Sequence, residues 1–164
     1  MDRRTLLKGA ALGAAAWALR PALARTAPAG DAEARLAALE RQRGGRLGVA
    51  ILDTGSGHHL AYRGDERFLL CSTFKLLLAA AVLKRAEQGV EKLDRRIVFG
   101  KDALLDYAPT TKQHVGPPGM TIAQLCEAAI TLSDNTAANL LVASIGGPAA
   151  VTHYARSLGD PFTV

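Results

Sequence analysis

Apolar and polar positions fall into blocks whose period changes along the chain. From Asp31 to about Arg43, Leu36, Leu39 and nearby alanines share one helical face. Asp31 can cap that helix and Gly44-Gly45 stops it. Arg46 to Asp53 reads as a strand, Thr54-Gly55-Ser56-Gly57 as a turn, and His58 to Arg63 as the returning strand of a β-hairpin. The first strand is apolar from Leu47 to Leu52, which predicts that helices cover both of its faces. Phe68 to Leu83 is the most apolar stretch after the N-terminal segment. Its Leu- and Ala-rich later part predicts a buried helix that runs on to Gln88 and ends at Gly89. A short extended segment follows within Leu93 to Phe99, then a loop from Tyr107 to Pro118 with three prolines. Thr121 and Gln124 stand at capping-box spacing for a helix to about Leu132. Ser133-Asp134-Asn135 interrupts it. A second helix is predicted from Thr136 to about Ser144, and another from Gly146-Gly147-Pro148 to near Gly159.

The first residues belong to a different pattern. Arg3-Arg4 precedes an apolar stretch of 11 residues from Gly9 to Leu19, and Ala22-Leu23-Ala24 has the small-x-small form of a cleavage site. Eleven residues rise too little to cross a hydrocarbon core of about 30 Å. Residues 1–24 are therefore expected to be a twin-arginine signal peptide, with export to the periplasm or medium and no stable membrane anchor after cleavage. Residues 25–164 would form the mature chain. The formal charge of +5 falls to +2 when Arg3, Arg4, Lys8, Arg20 and Asp2 leave with that segment. Most of the basicity is thus assigned to targeting, and no nucleic-acid partner is expected. At 49% apolar and 21% charged, the composition is that of a globular chain rather than a disordered one.

Lys75 is the anomaly in this pattern. It is the only charged residue among the 16 from Phe68 to Leu83. A buried ammonium is costly, and its pKa tends to fall. Ser72 lies three positions earlier, hence on the same helical face. At a helix start it would also sit at the positive end of the dipole. A hydroxyl, a lysine prone to shed its proton and free backbone N–H groups are the parts of an activated serine nucleophile. A capping serine and a snorkelling lysine would explain the same four residues. Ser133-Asp134-Asn135 lies 58 residues beyond Lys75, and capping alone does not require that trio in that order. The histidines show no ligand spacing: His58 and His59 point to opposite strand faces, and no thiol or acidic cluster surrounds His114 or His153. Neither a metal nor an organic cofactor is expected.

Ser72-Thr73-Phe74-Lys75 followed by Ser133-Asp134-Asn135 resembles the S-x-x-K and S-D-N signature of class A serine β-lactamases and related penicillin-binding proteins. The approach YRGDERFLLCSTFK, the segment Tyr107-Ala108-Pro109 and MTIAQLCEAAITLSDNTAANLL are similar to that family as well, from about Asp31 to Asp160. The resemblance implies an α/β fold of the α+β sandwich type, the β-lactamase/transpeptidase-like fold. Only its N-terminal helix, hairpin and all-helical subdomain would be present. It implies that Ser72 attacks a β-lactam carbonyl, that Lys75 assists its deprotonation, and that Ser133 relays a proton to the departing nitrogen. Asn135 would bind the substrate's acylamide group, Tyr107 would line the entrance, and Asp134 would be structural. Penicillins and cephalosporins would be the partners of a monomeric enzyme conferring antibiotic resistance.

The family pattern continues with a loop carrying a general-base glutamate and then a K-T-G strand. Neither occurs before Val164, so a truncated form with impaired or no turnover and poor stability is expected. A penicillin-binding D,D-peptidase and a non-catalytic remnant are the competing readings. In some members a cysteine placed like Cys71 bridges to the C-terminal half, and one placed like Cys126 pairs with the nucleophile helix. Neither partner occurs here, and a Cys71–Cys126 bridge is not expected.

Overall fold

The structure, a computed structural model, describes residues 29–163. The signal-peptide reading of residues 1–24 lies outside them. The contacts divide the chain into two compact units, one ending at Phe68 and the other beginning at Leu69.

The first unit holds α1 (Ala29–Arg43), β1 (Val49–Leu52) and β2 (His59–Tyr62). Gly44 and Gly45 both take positive φ, 73° and 82°, so the chain leaves the helix through a conformation that side chains disfavour. The strands pair antiparallel, from Val49 with Tyr62 to Leu52 with His59. Glu40 ties the helix to the hairpin. Its carboxylate accepts from Tyr62 Oη at 2.6 Å, from Leu47 N–H at 2.9 Å and from the Arg63 guanidinium at 3.1 Å. The Tyr62 bond first, then Leu47 and Arg63, hold it at a pKa of about 2. The Phe68 ring sits where a Gly48 side chain would be, and the Arg46 guanidinium stacks over it at 4.4 Å. Cover on both faces of the first strand, expected from its apolar run, is not what the structure has. Ile51 and Leu52 are 54% and 62% exposed. They lie next to the turn, and among the described residues β1 hydrogen-bonds to β2 alone.

The second unit carries the core. A 3-10 turn (Cys71–Thr73) leads into α2 (Phe74–Glu87), then β3 (Arg96–Ile97), β4 (Met120–Thr121), α3 (Ile122–Thr131), α4 (Asn135–Ile145) and α5 (Pro148–Ser157). β3 and β4 form a second antiparallel pair. Leu78 and Val82 of α2, Met120, Ile122 and Leu125, and Ala137, Ala138 and Leu141 of α4 close into one cluster. Small residues on α4 let the helices approach closely. The Thr121–Gln124 capping box forms reciprocally. Gly119 joins the pair to the helix at φ 67°, where a Cβ would lie 2.0 Å from the Ile97 carbonyl oxygen. Among the described residues, no helix is long and apolar enough to cross a membrane.

Two expectations are corrected here. The helix after the 3-10 turn is buried on one side only. Leu78, Ala79, Ala81 and Val82 are covered, whereas Leu76 and Leu83 are 68% and 50% exposed. The described helices pack against one face of α2, so a helix apolar all round is left half covered. Ser72 lies in the 3-10 turn, and the α-helix begins at Phe74, two residues later.

Candidate active site

Lys75 sits in the first turn of α2 with 3% of its surface exposed. Its ammonium has three donors, and each finds an acceptor. Nζ donates to the Ser133 carbonyl at 2.6 Å, to Ser133 Oγ at 2.9 Å and to Asn135 Oδ1 at 2.7 Å. The isolated cation that stood out in the sequence is thus met by residues 58 and 60 positions downstream. Burial pushes its pKa below the ordinary lysine range, and the Asp134 charge opposes this in part. A neutral amine keeps two donors and exposes a lone pair. Losing one proton therefore frees Lys75 to accept another while two of its contacts persist.

Ser133 and Asn135 flank Asp134, which is fully buried. Asp134 caps α4 by accepting from Ala137 N–H at 2.9 Å. It also accepts from Thr110 N–H at 3.0 Å and from Thr111 N–H at 2.9 Å. The Thr111 hydroxyl lies 2.9 and 3.0 Å from its two oxygens. Burial raises this carboxyl, but the N–H groups of Thr111, Ala137 and Thr110 and the Thr111 hydroxyl together outweigh it. The group stays below its usual range. The anion is held by donors rather than by a cation in contact, so it supplies charge near Lys75 without a salt bridge.

Among the described residues, three other than glycine take a positive φ; one is Arg63 in the first unit, and the other two fall at this site. Cys71, just before Ser72, has φ 47°, and Ser133 has φ 54°. Residues other than glycine adopt this left-handed region at a cost of about 1–3 kcal/mol, and such positions cluster where geometry is functionally constrained. Ser72 itself is exposed, and its hydroxyl has no hydrogen-bond partner among the described residues. Tyr107 is 55% exposed, and its carbonyl accepts the Asn135 N–H at 3.0 Å. The structure thus brings Lys75, Ser133, Asp134, Asn135 and the Tyr107 backbone into one network. Ser72 stands one helical turn before Lys75, outside those bonds.

Thr111 and Thr136 are fully buried parts of this network that the sequence did not single out. A threonine in a proline-rich loop, or one inside a helix start, carries no local sign that its hydroxyl serves another segment. Cys71 and Cys126 both carry free thiols, the first exposed and the second buried. Burial, reinforced by the Glu91 charge, pushes the Cys126 thiol up to about 11. Among the described residues, no group of three or more His, Cys, Asp or Glu side chains is placed to hold a metal ion.

Residues 31–164 match the family model described as the beta-lactamase enzyme family. The chain is 47% identical to a beta-lactamase of Streptomyces albus G, covering 99% of this chain and 56% of that protein. An ancestral class A beta-lactamase aligns in structure with TM-score 0.75 and 65% identity, over 80% of this chain and 50% of the other. The class A beta-lactamase of Mycobacterium abscessus aligns with TM-score 0.77 and 48% identity, again over 80% and 50%. The fold is therefore that of class A β-lactamases, with the mixed helix-and-sheet architecture expected from the motifs. The chain belongs to the beta-lactamase enzyme family, in its class A branch, and spans about half the length of the curated relatives it matches.

Proposed function

We propose that this chain supplies the acylation half of a class A β-lactamase site: a serine hydrolase that opens β-lactam rings through an acyl-enzyme. The observation that carries this reading is the Lys75 ammonium, buried and bonded to Ser133 Oγ and Asn135 Oδ1. Ser72 is the nucleophile. Lys75, its proton loosened by burial, accepts the Ser72 proton as the hydroxyl oxygen bonds to the lactam carbonyl carbon. As the ring C–N bond breaks, the Ser133 hydroxyl gives its proton to the departing nitrogen and is resupplied from Lys75. Asn135 and Tyr107 bind and orient the substrate, a penicillin or cephalosporin, and resistance to such compounds is the biological consequence.

Mass spectrometry of the full chain after incubation with benzylpenicillin tests this. The expected product is one adduct of the intact penicillin mass, lost in Ser72→Ala and much slower to form in Ser133→Ala. No adduct on the unmutated, folded chain would leave a non-catalytic member of the family.

Export by the twin-arginine route to the periplasm or medium belongs to the same proposal and rests on Arg3-Arg4 and Ala22-Leu23-Ala24. Changing Arg3 and Arg4 together to lysine is expected to retain the chain in the cytoplasm with its N-terminal segment uncleaved. Unaltered export of that variant would remove the assignment.

A further inference from the structure

Leu104, packed against the core, and the buried Ala108 bracket a stretch with little apolar anchorage of its own. Leu105 and Tyr107 are 44% and 55% exposed. Hydrogen bonds to the start of α4 hold this stretch between its two apolar ends. The Leu105 N–H donates to Thr136 Oγ1 at 2.9 Å, the Asn135 N–H donates to the Tyr107 carbonyl at 3.0 Å, and the N–H groups of Thr110 and Thr111 reach Asp134. The bonds made by Leu105 and Tyr107 thus fall on the first two residues of one helix. The N–H groups of a first helical turn lack intrahelical acceptors. Asn135 spends its own on Tyr107, and Thr136 answers with a side-chain acceptor for Leu105. Thr136 is fully buried, so this acceptor has no ready replacement by solvent.

We propose that Thr136 is a positioning residue for Tyr107. Its hydroxyl holds the Leu105–Tyr107 backbone against α4 and so fixes where the Tyr107 ring stands relative to Asn135. The inference rests on the reading of Tyr107 and Asn135 as substrate-binding groups. It extends that reading to a residue that touches no substrate. The clamp acts on binding: it places the tyrosine, while Lys75 and Ser133 keep the bond between them and Ser72 stays where it is.

The test uses the full chain with 3-fluorotyrosine incorporated. It contains three tyrosines, and Tyr107→Phe assigns the relevant 19F resonance. Thr136→Val keeps the shape and removes the acceptor. The Tyr107 resonance should shift or broaden, while that of Tyr154, packed against the core, stays in place. Thr136→Ser should restore the original spectrum. With benzylpenicillin, the concentration giving half-maximal acylation should rise about five- to tenfold in Thr136→Val, with the maximal rate changed less than about twofold. An unmoved Tyr107 signal overturns the proposal. So does a Tyr154 signal that moves equally, or a loss confined to the maximal rate, because Thr136 would then be part of the packing alone. If Thr136→Val does not fold, Thr136→Ala carries the same expectations. If the unmutated chain forms no adduct, the proposed function fails, and the 19F spectra still decide whether the clamp exists.

Discussion

Replacing Asp134 by alanine is expected to cost about 4 kcal/mol, a large part of the roughly 5–15 kcal/mol that holds a domain folded. The side chain receives the N–H groups of Thr110, Thr111 and Ala137 and the Thr111 hydroxyl. Alanine removes the helix cap and leaves several donors facing a buried space at once. Asparagine is expected to recover only part of the loss, because its amide would set N–H against N–H. Urea unfolding followed by circular dichroism measures the effect, and a midpoint equal to that of the unmutated chain would show that water satisfies those donors.

The pH dependence of this group has a definite sign. The folded carboxyl lies below its ordinary value, so the native state binds the proton more weakly than the unfolded one. Its contribution is complete above the ordinary carboxylate pKa of about 4 and is lost as pH falls through the lower folded value. Asp134→Asn should therefore flatten the acid limb of the stability curve.

Lys75→Met is expected to separate stability from activity. The methionine fills a similar volume without a charge to desolvate, but it leaves the Ser133 carbonyl and Asn135 Oδ1 without their donor. Unfolding stability should fall by only about 1–3 kcal/mol, because the lost hydrogen bonds are partly offset by the ammonium desolvation that is avoided, while acylation by benzylpenicillin should slow by about 10²–10⁴-fold, the usual range for a lost general base. A variant that is both stable and acylated at the original rate would remove Lys75 from the proton path. The three acceptors that hold the ammonium would then serve only to bury it.

The depressed Lys75 pKa adds a pH prediction to the same variant. In the unmutated chain the fraction of neutral amine rises with pH, starting below the ordinary lysine range, so acylation should accelerate over that span. Lys75→Met should lose this limb.

Much of the chain could be read without its fold, and the legible parts share one property: their causes are local. The helix stops at Gly44 and Gly89, the capping box at Thr121 and Gln124, the Thr54–Gly57 turn and the helix start after Ser133-Asp134 all depend on residues within about one turn of one another. The position of Ser72 one turn before Lys75 was legible for the same reason, as was the oddity of the lysine in an apolar run. Where the local rules were misapplied, packing had intervened. Ile51, Leu52, Leu76 and Leu83 are apolar by sequence yet exposed, because burial depends on what lies across from a face rather than on the face itself.

Residues remote in the chain settled the rest. Nothing near Lys75 announces that its acceptors are the Ser133 carbonyl and Asn135, or that Asp134 is satisfied from Thr110 and Thr111. A threonine hydroxyl can serve its own turn, solvent or a distant backbone, and composition does not distinguish these. The choice is made when α2, α4 and the Tyr107 loop come together and every buried donor and acceptor must find a partner. Side-chain chemistry and helix ends were therefore present in the order of the amino acids. The identity of the groups that tune Lys75 and hold Tyr107 came into being with the packing, since hydrogen-bond satisfaction is a property of segments that meet in space.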